Sequence, residues 1–100
     1  MKKLNVLGIK ATVKIKKPDD EKNTAELCRK TNTIVIDPDS DEKFHDMSHE
    51  LGHLFWDRAG LLQAFENNTK AEEIFAESFA NLLNDNIVTL YQTYNKLKKK

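Results

Sequence analysis

The residues best suited to chemistry lie in one short stretch, His49-Glu50-Leu51-Gly52-His53. Side chains four positions apart on an α-helix lie one above the other on the same face. The two imidazoles can therefore bind one metal ion together, whereas Glu50 is turned by about 100° around the helix axis. From there its carboxylate is poorly placed as a ligand but can reach a water molecule on the ion. Two histidines with an adjacent carboxylate base are the signature of zinc hydrolases.

A catalytic zinc site needs a third protein ligand and one open position for water. Metzincins take that ligand from a histidine six residues after the second one, following a glycine. Ala59 and Trp56 occupy those two positions here, which excludes that class. The other source is a glutamate from a second helix. The downstream candidates are Glu66, Glu72, Glu73 and Glu77.

The stretch from Glu73 to Ala80 narrows the choice of the third ligand. Glu73 and Glu77 are one helical turn apart at the edge of an apolar face. One of these carboxylates can bind zinc while the other accepts a hydrogen bond from the free N–H of a ligand histidine. Glu72 lies nearer the centre of the apolar arc, and periodicity alone does not choose between Glu72 and Glu73.

The elements that must position these residues are strands first and helices afterwards, which predicts an α+β domain with a small antiparallel sheet. Alternation over residues 9–16 predicts a half-buried strand, and residues 27–37 predict a hairpin that turns at residues 30–32. The zinc-binding helix should span residues 41–58 after an N-cap at Asp39 or Ser40. A second helix should span residues 70–83 after a capping box of Thr69 and Glu72. Residues 84–86 interrupt the pattern before a C-terminal helix or a continuation.

Bulk properties restrict the class of protein. The chain has 100 residues, which is the size of one domain, and we expect residues 1–100 to form a single one. Acidic and basic residues number sixteen each, which gives no argument for a nucleic-acid partner. Cys28 is the single cysteine, and neither a signal peptide nor a membrane-spanning run is evident. We expect a soluble cytoplasmic protein without a membrane partner.

The stretch His49-Glu50-Leu51-Gly52-His53, followed about twenty residues later by Glu73-x-x-Ala76-Glu77-x-Phe79-Ala80, resembles the gluzincin pattern HExxH…ExxA(D/N)xFA. With "TIVIDP" just before the zinc helix, the chain is similar to the ImmA/IrrE family of phage- and mobile-element-associated metallopeptidases. The resemblance covers residues 27–83 and implies a minimal zincin-like fold. It implies Zn²⁺ held by His49, His53 and Glu73. It also implies a supporting role for Glu77, where the family has Asp or Asn.

The implied activity is that of a zinc metalloendopeptidase, a hydrolase in which Glu50 is the general base on zinc-bound water. Family members act on regulatory proteins, so we expect a protein or peptide substrate such as a helix-turn-helix repressor. An extended substrate could pair with an exposed sheet edge, for which we expect the strand at residues 33–37. The candidates for stabilising the oxyanion are Tyr91, Tyr94 and His45.

Two other functions fit the same residues. The first is a zinc-stabilised protein-binding module with little or no peptidase activity. The second is a small helical interaction domain without metal, in which the two histidines lie on an ordinary helix surface. Gly52 argues against the latter, because glycine costs about 1 kcal/mol in a helix interior relative to alanine. A close approach of another element at Gly52 would explain that cost.

Overall fold

The computed structural model describes residues 3–66 and 68–99. Four strands precede three helices, which confirms the α+β class. The strands are β1 (Lys3–Val6), β2 (Ile9–Ile15), β3 (Ala25–Cys28) and β4 (Thr33–Ile36). The helices are α1 (Lys43–Arg58), α2 (Leu61–Ala64) and α3 (Thr69–Lys98).

The four strands form one mixed sheet in the order β1-β2-β4-β3. The β1–β2 pair and the predicted β3–β4 hairpin are antiparallel, but β2 and β4 are parallel, so the sheet is not antiparallel throughout. The reason lies in β4, whose Ile34 and Ile36 are 0% and 1% exposed. A strand this apolar is stabilised inside a sheet, beside β2, and the weaker β3 is left at the edge.

Strand β1 was not predicted from the sequence. It pairs with β2 across Leu7 and Gly8, which both have positive φ angles, 48° and 90°. Two consecutive positive φ angles are the mark of a type I′ hairpin turn, which usually carries Asn-Gly or Asp-Gly. The Asn5 side chain accepts a hydrogen bond from the Gly8 N–H and supports the turn. Because leucine rarely adopts this conformation, residues 7 and 8 do not match the usual pattern for such a turn.

Helix α1 lies between the sheet and α3 and contacts both. It begins two residues later than predicted. Glu42 is at the N-cap without a side-chain cap bond, while the Ser40 hydroxyl accepts a hydrogen bond from the Glu42 N–H. At Gly52 the close approach expected from the sequence is present. A Cβ built on Gly52 would lie 2.9 Å from the Cα of Ala76 in α3.

Helix α3 is continuous from Thr69 to Lys98, so residues 84–86 do not interrupt it. Asn86 stays within the helix by donating its side-chain amide to the Leu82 carbonyl. The predicted capping box is wrong. Asn68 is the N-cap, and its side chain accepts from the Ala71 N–H. Glu72 is buried and makes side-chain contacts with other elements instead.

Candidate metal centre

The two histidines of α1 converge as helical spacing predicts. Their Nε2 atoms are 3.2 Å apart, and the His49 and His53 side chains are 20% and 13% exposed. Glu50 completes a group in which one ligand atom from each residue lies within 4.8 Å of the others. This His/Glu/His group is close enough to hold a metal ion.

Glu73 of α3 also lies within 4.8 Å of both imidazoles. Its Oε1 is 2.8 Å from His53 Nε2, and its Oε2 is 3.4 Å from His49 Nε2. Ligand atoms at zinc distances with tetrahedral angles are about 3.3 Å apart. The 3.2 Å between the two Nε2 atoms fits one edge of such a site, and each Nε2 also has a different oxygen of the Glu73 carboxylate beside it. Glu73 fits a ligand position better than Glu50 does, since Glu73 contacts both histidines from another helix.

Glu72 lies behind His53, on the opposite side of the ring from Glu73. Its Oε2 is 2.5 Å from His53 Nδ1. Because a carboxylate only accepts hydrogen bonds, Nδ1 is the donor in this contact, and Nε2 is the nitrogen that faces Glu73. The ring is thereby oriented for binding a cation through Nε2. Glu72, which periodicity could not separate from Glu73, thus supports a histidine in the way that was expected of Glu77.

Arg29 connects the β3–β4 hairpin to both long helices. Its Nη2 donates to Glu72 Oε2 at 2.6 Å, and its Nε donates to Asp57 Oδ2 at 2.5 Å. Glu72 is 7% exposed, so the guanidinium compensates a carboxylate that is largely removed from water. Sequence reasoning did not identify Arg29, because nothing near position 29 indicates a partner 43 residues away.

Glu77 lies beside the site, but its hydrogen bond goes to a third histidine. His45 Nε2 donates to Glu77 Oε1 at 2.6 Å, whereas His49 Nδ1 is 3.8 Å from the same oxygen. The latter distance is too long for a hydrogen bond. His45 lies one turn before His49, and its side chain is 19% exposed. The pair therefore closes the side of the site nearest the start of α1.

The other predicted candidates lie elsewhere. Tyr91 and Tyr94 are 65% and 57% exposed on the far part of α3, and Tyr91 follows Glu77 by about 21 Å of helix. Glu66 lies in the turn after α2. Of the three residues considered for stabilising an oxyanion, only His45 is next to the histidine pair.

Glu50 occupies a different environment from the other carboxylates. Burial raises the pKa of its carboxyl, and Glu73 adds to the rise, while His53 and His49 oppose it. Glu50 lines two hollows, one toward His45 and one toward Arg29. A carboxyl with a raised pKa that faces open space is a stronger base than an ordinary carboxylate and is suited to proton transfer.

The sheet edge beside these hollows is β3 and not β4. Strand β4 lies between β2 and β3, so the prediction that residues 33–37 form an exposed edge is wrong. Ala25 of β3 lines the hollow on the His45 side, and Leu27 lines the hollow on the Arg29 side. The Thr24 carbonyl accepts from the Asp37 N–H. In an antiparallel pair, successive residues of one strand direct their backbone N–H and C=O groups alternately toward the partner strand and away from it. Because Thr24 faces β4, the backbone groups of Ala25 and Leu27 point toward the outer edge.

Comparison of the chain with protein-family models, with curated proteins and with solved structures found no match. Within the described residues, no helix has the length and apolar character needed to cross a membrane.

Proposed function

We propose that this protein is a zinc-dependent metalloendopeptidase of the ImmA/IrrE type. The observation that supports this most directly is the triangle of His49, His53 and Glu73. The two Nε2 atoms are 3.2 Å apart, His53 Nε2 is 2.8 Å from Glu73 Oε1, and His49 Nε2 is 3.4 Å from Glu73 Oε2. Imidazole lone pairs and a carboxylate oxygen repel one another at such distances unless a proton or a cation lies between them. Two imidazoles and one carboxylate are also the ligands of many catalytic zinc sites.

The charges around the triangle favour a cation. Four carboxylates, those of Glu50, Glu72, Glu73 and Glu77, surround the two ligand histidines, and Arg29 is the cation paired with one of them. When bound, zinc would supply a Lewis acid and a water ligand whose pKa is lowered to about 7. Two histidines with one glutamate leave a fourth position open, as catalysis requires.

Glu50 is the general base in this proposal. Its position one residue after His49 keeps it out of the ligand triangle but beside it, and its raised pKa suits reversible proton transfer. Glu50 would take a proton from the attacking water and deliver it to the amine of the leaving peptide. His45, on the same side of the histidine pair, is placed to donate a hydrogen bond to the carbonyl oxygen if it is released from Glu77.

An extended peptide is the substrate form that the surroundings favour. A segment added antiparallel or parallel to β3 would bond to the outward backbone groups of Ala25 and Leu27. It would then pass both hollows that Glu50 lines. The resemblance to a family that acts on regulators makes a helix-turn-helix repressor the first substrate to try.

The decisive experiment combines metal analysis with one conservative substitution. We expect one zinc per chain by native mass spectrometry and its loss in His49→Ala. We expect Glu50→Gln to retain zinc and to abolish cleavage of a peptide library, scored by mass spectrometry of the products. Glu21→Gln, the same change at an exposed position, is the matched control and should cleave as the parent does.

Each alternative has its own outcome in this experiment. Zinc without cleavage by the parent, together with repressor binding that Glu50→Gln leaves unaltered, would support a zinc-stabilised binding module. Absence of stoichiometric metal in the parent would refute both zinc-dependent functions.

A further inference from the structure

The outer part of α3 carries an apolar stripe that nothing in the described chain covers. We call residues 84–98 the distal segment. The stripe begins before the distal segment, at the half-buried Leu83. Within the segment its residues follow at alternating spacings of four and three, which is the heptad repeat of helices that pair. Its exposed members are Ile87, Leu90, Tyr94 and Leu97, at 43%, 51%, 57% and 62% exposure.

This stripe continues the one that holds α3 against α1. Ala76 and Ala80 precede Leu83 at the same spacing, and both are 0% exposed. The contacts of Glu77 with His45 and of Glu73 with His53 show that α1 runs antiparallel to α3. Counting from these contacts, the start of α1 lies beside about residue 82 of α3. After about residue 82, α1 no longer lies beside α3, so another helix would be needed to cover the rest of the stripe.

The distal segment also needs such cover for its own stability. It comprises about four helical turns. It extends a helix that is already packed, but most helical stability in proteins comes from packing of an apolar face, which this segment lacks among the described residues. Ile87, Val88, Thr89 and Thr93 are β-branched and lower the helix propensity further. A packed partner would therefore order the segment as well as bury its stripe.

We propose that a second copy of this chain provides this helix, with the two distal segments paired antiparallel. The charge distribution favours this occupant and this direction. The end of α3 carries Lys96, Lys98 and Lys99, while the turn before α1 exposes Asp41 and Glu42. Antiparallel pairing brings the lysines of each copy to the acidic turn of the other. Parallel pairing would bring the two lysine groups together.

The first test is the oligomeric state of the full chain, by sedimentation velocity from micromolar to millimolar concentration. We expect a species of twice the 11.5 kDa chain mass, with helical circular dichroism that rises as the dimer forms. The double variant Leu90→Glu/Tyr94→Glu should be monomeric. Thr89→Glu/Gln92→Glu adds the same charge to the opposite helix face and should remain dimeric. Metal binding, which resides in the other half of α3, should persist in both and serves as the check of folding.

A second test determines the direction of pairing. Lys96→Glu/Lys98→Glu should weaken the dimer, and adding Asp41→Lys/Glu42→Lys should restore it.

Several results would overturn the proposal. A monomer at every concentration would do so, and so would a dimer that Leu90→Glu/Tyr94→Glu leaves unchanged. A dimer that Lys96→Glu/Lys98→Glu weakens but that Asp41→Lys/Glu42→Lys does not restore would refute the antiparallel direction. Binding to anionic lipid vesicles by a chain that stays monomeric in solution would assign the stripe to a membrane surface instead.

Discussion

Gly52→Ala should weaken metal binding although Gly52 offers no ligand atom. The added Cβ would lie 2.9 Å from the Ala76 Cα. Unbonded carbon atoms rest at about 3.5–4.0 Å, so α1 and α3 would have to separate by roughly 0.6–1.1 Å. Metal–ligand distances hold to within about 0.2 Å. Because the histidines lie on α1 and Glu73 on α3, this separation is large enough to pull the proposed third ligand away.

The effect on folding should be smaller than the effect on binding. Alanine gains about 1 kcal/mol of helix propensity, and overpacking costs about 1–3 kcal/mol. The metal-free unfolding free energy should therefore fall by roughly 0–2 kcal/mol. We expect zinc affinity to fall roughly 10–100-fold, the range seen when support of a ligand is lost.

The assays are zinc competition against a chelating dye and urea unfolding in EDTA. Adding Ala76→Gly removes the contact with the Ala76 Cβ at 3.3 Å but leaves the closer backbone contact. This second change should therefore not restore affinity. Parental zinc affinity in Gly52→Ala, accompanied by a large loss of stability, would refute the claim that this contact sets the position of Glu73.

Three further predictions concern residues around the site. Glu72→Gln should lower zinc affinity roughly 10–100-fold, because the amide orients His53 less strongly than a carboxylate does; equal affinity in a dye competition would contradict this. Without metal, Glu50→Gln should be more stable than the parent at neutral pH and equal to it in acid. Because the pKa of Glu50 is raised in the folded chain, the folded chain binds the proton more tightly than the unfolded chain does. Below the ordinary carboxyl range Glu50 is protonated in both states, and its burial costs no stability. As the pH rises through the raised pKa, the folded chain has to bury a charged carboxylate and loses stability. An advantage independent of pH in urea titrations would exclude this cause. Ser48→Ala should raise the unfolding free energy by about 1 kcal/mol, since the buried Ser48 hydroxyl has no hydrogen-bond partner among the described residues; a loss of stability would show that the hydroxyl is satisfied.

Local patterns predicted the elements of this fold well. The period of two in β2, the β3–β4 hairpin and both long helices are present near the predicted residues. The errors concern relations between elements. Whether β2 pairs with β3 or β4 depends on which strand gains most from burial inside the sheet, and alternation within one strand does not reveal that. The type I′ turn at Leu7 and Gly8 was missed because leucine is an unusual residue for it.

The same division applies to the candidate site. The spacing of His49 and His53 fixes their common face within one helix, so the pair could be predicted from the sequence. Glu72 and Glu73 are adjacent in sequence and face opposite sides of the His53 ring. Which of them meets Nε2 depends on how α3 packs against α1, and no pattern within α3 reveals that. Arg29 of the β3–β4 hairpin bonds to Glu72 and supports this arrangement, and no helical pattern connects that hairpin to the site.

The close approach of the two helices depends in turn on small residues. A side chain at position 52, or a larger one at Ala76, would hold α3 farther from α1 than the proposed ligand triangle allows. The arrangement of the site therefore depends on residues without donor atoms as much as on those that have them. A histidine pair followed by a glutamate at the right distance along the chain is thus incomplete evidence for a metal site. The pattern becomes specific when each of the two helices also carries a small residue, as Gly52 and Ala76 do here, one turn or less from its ligands.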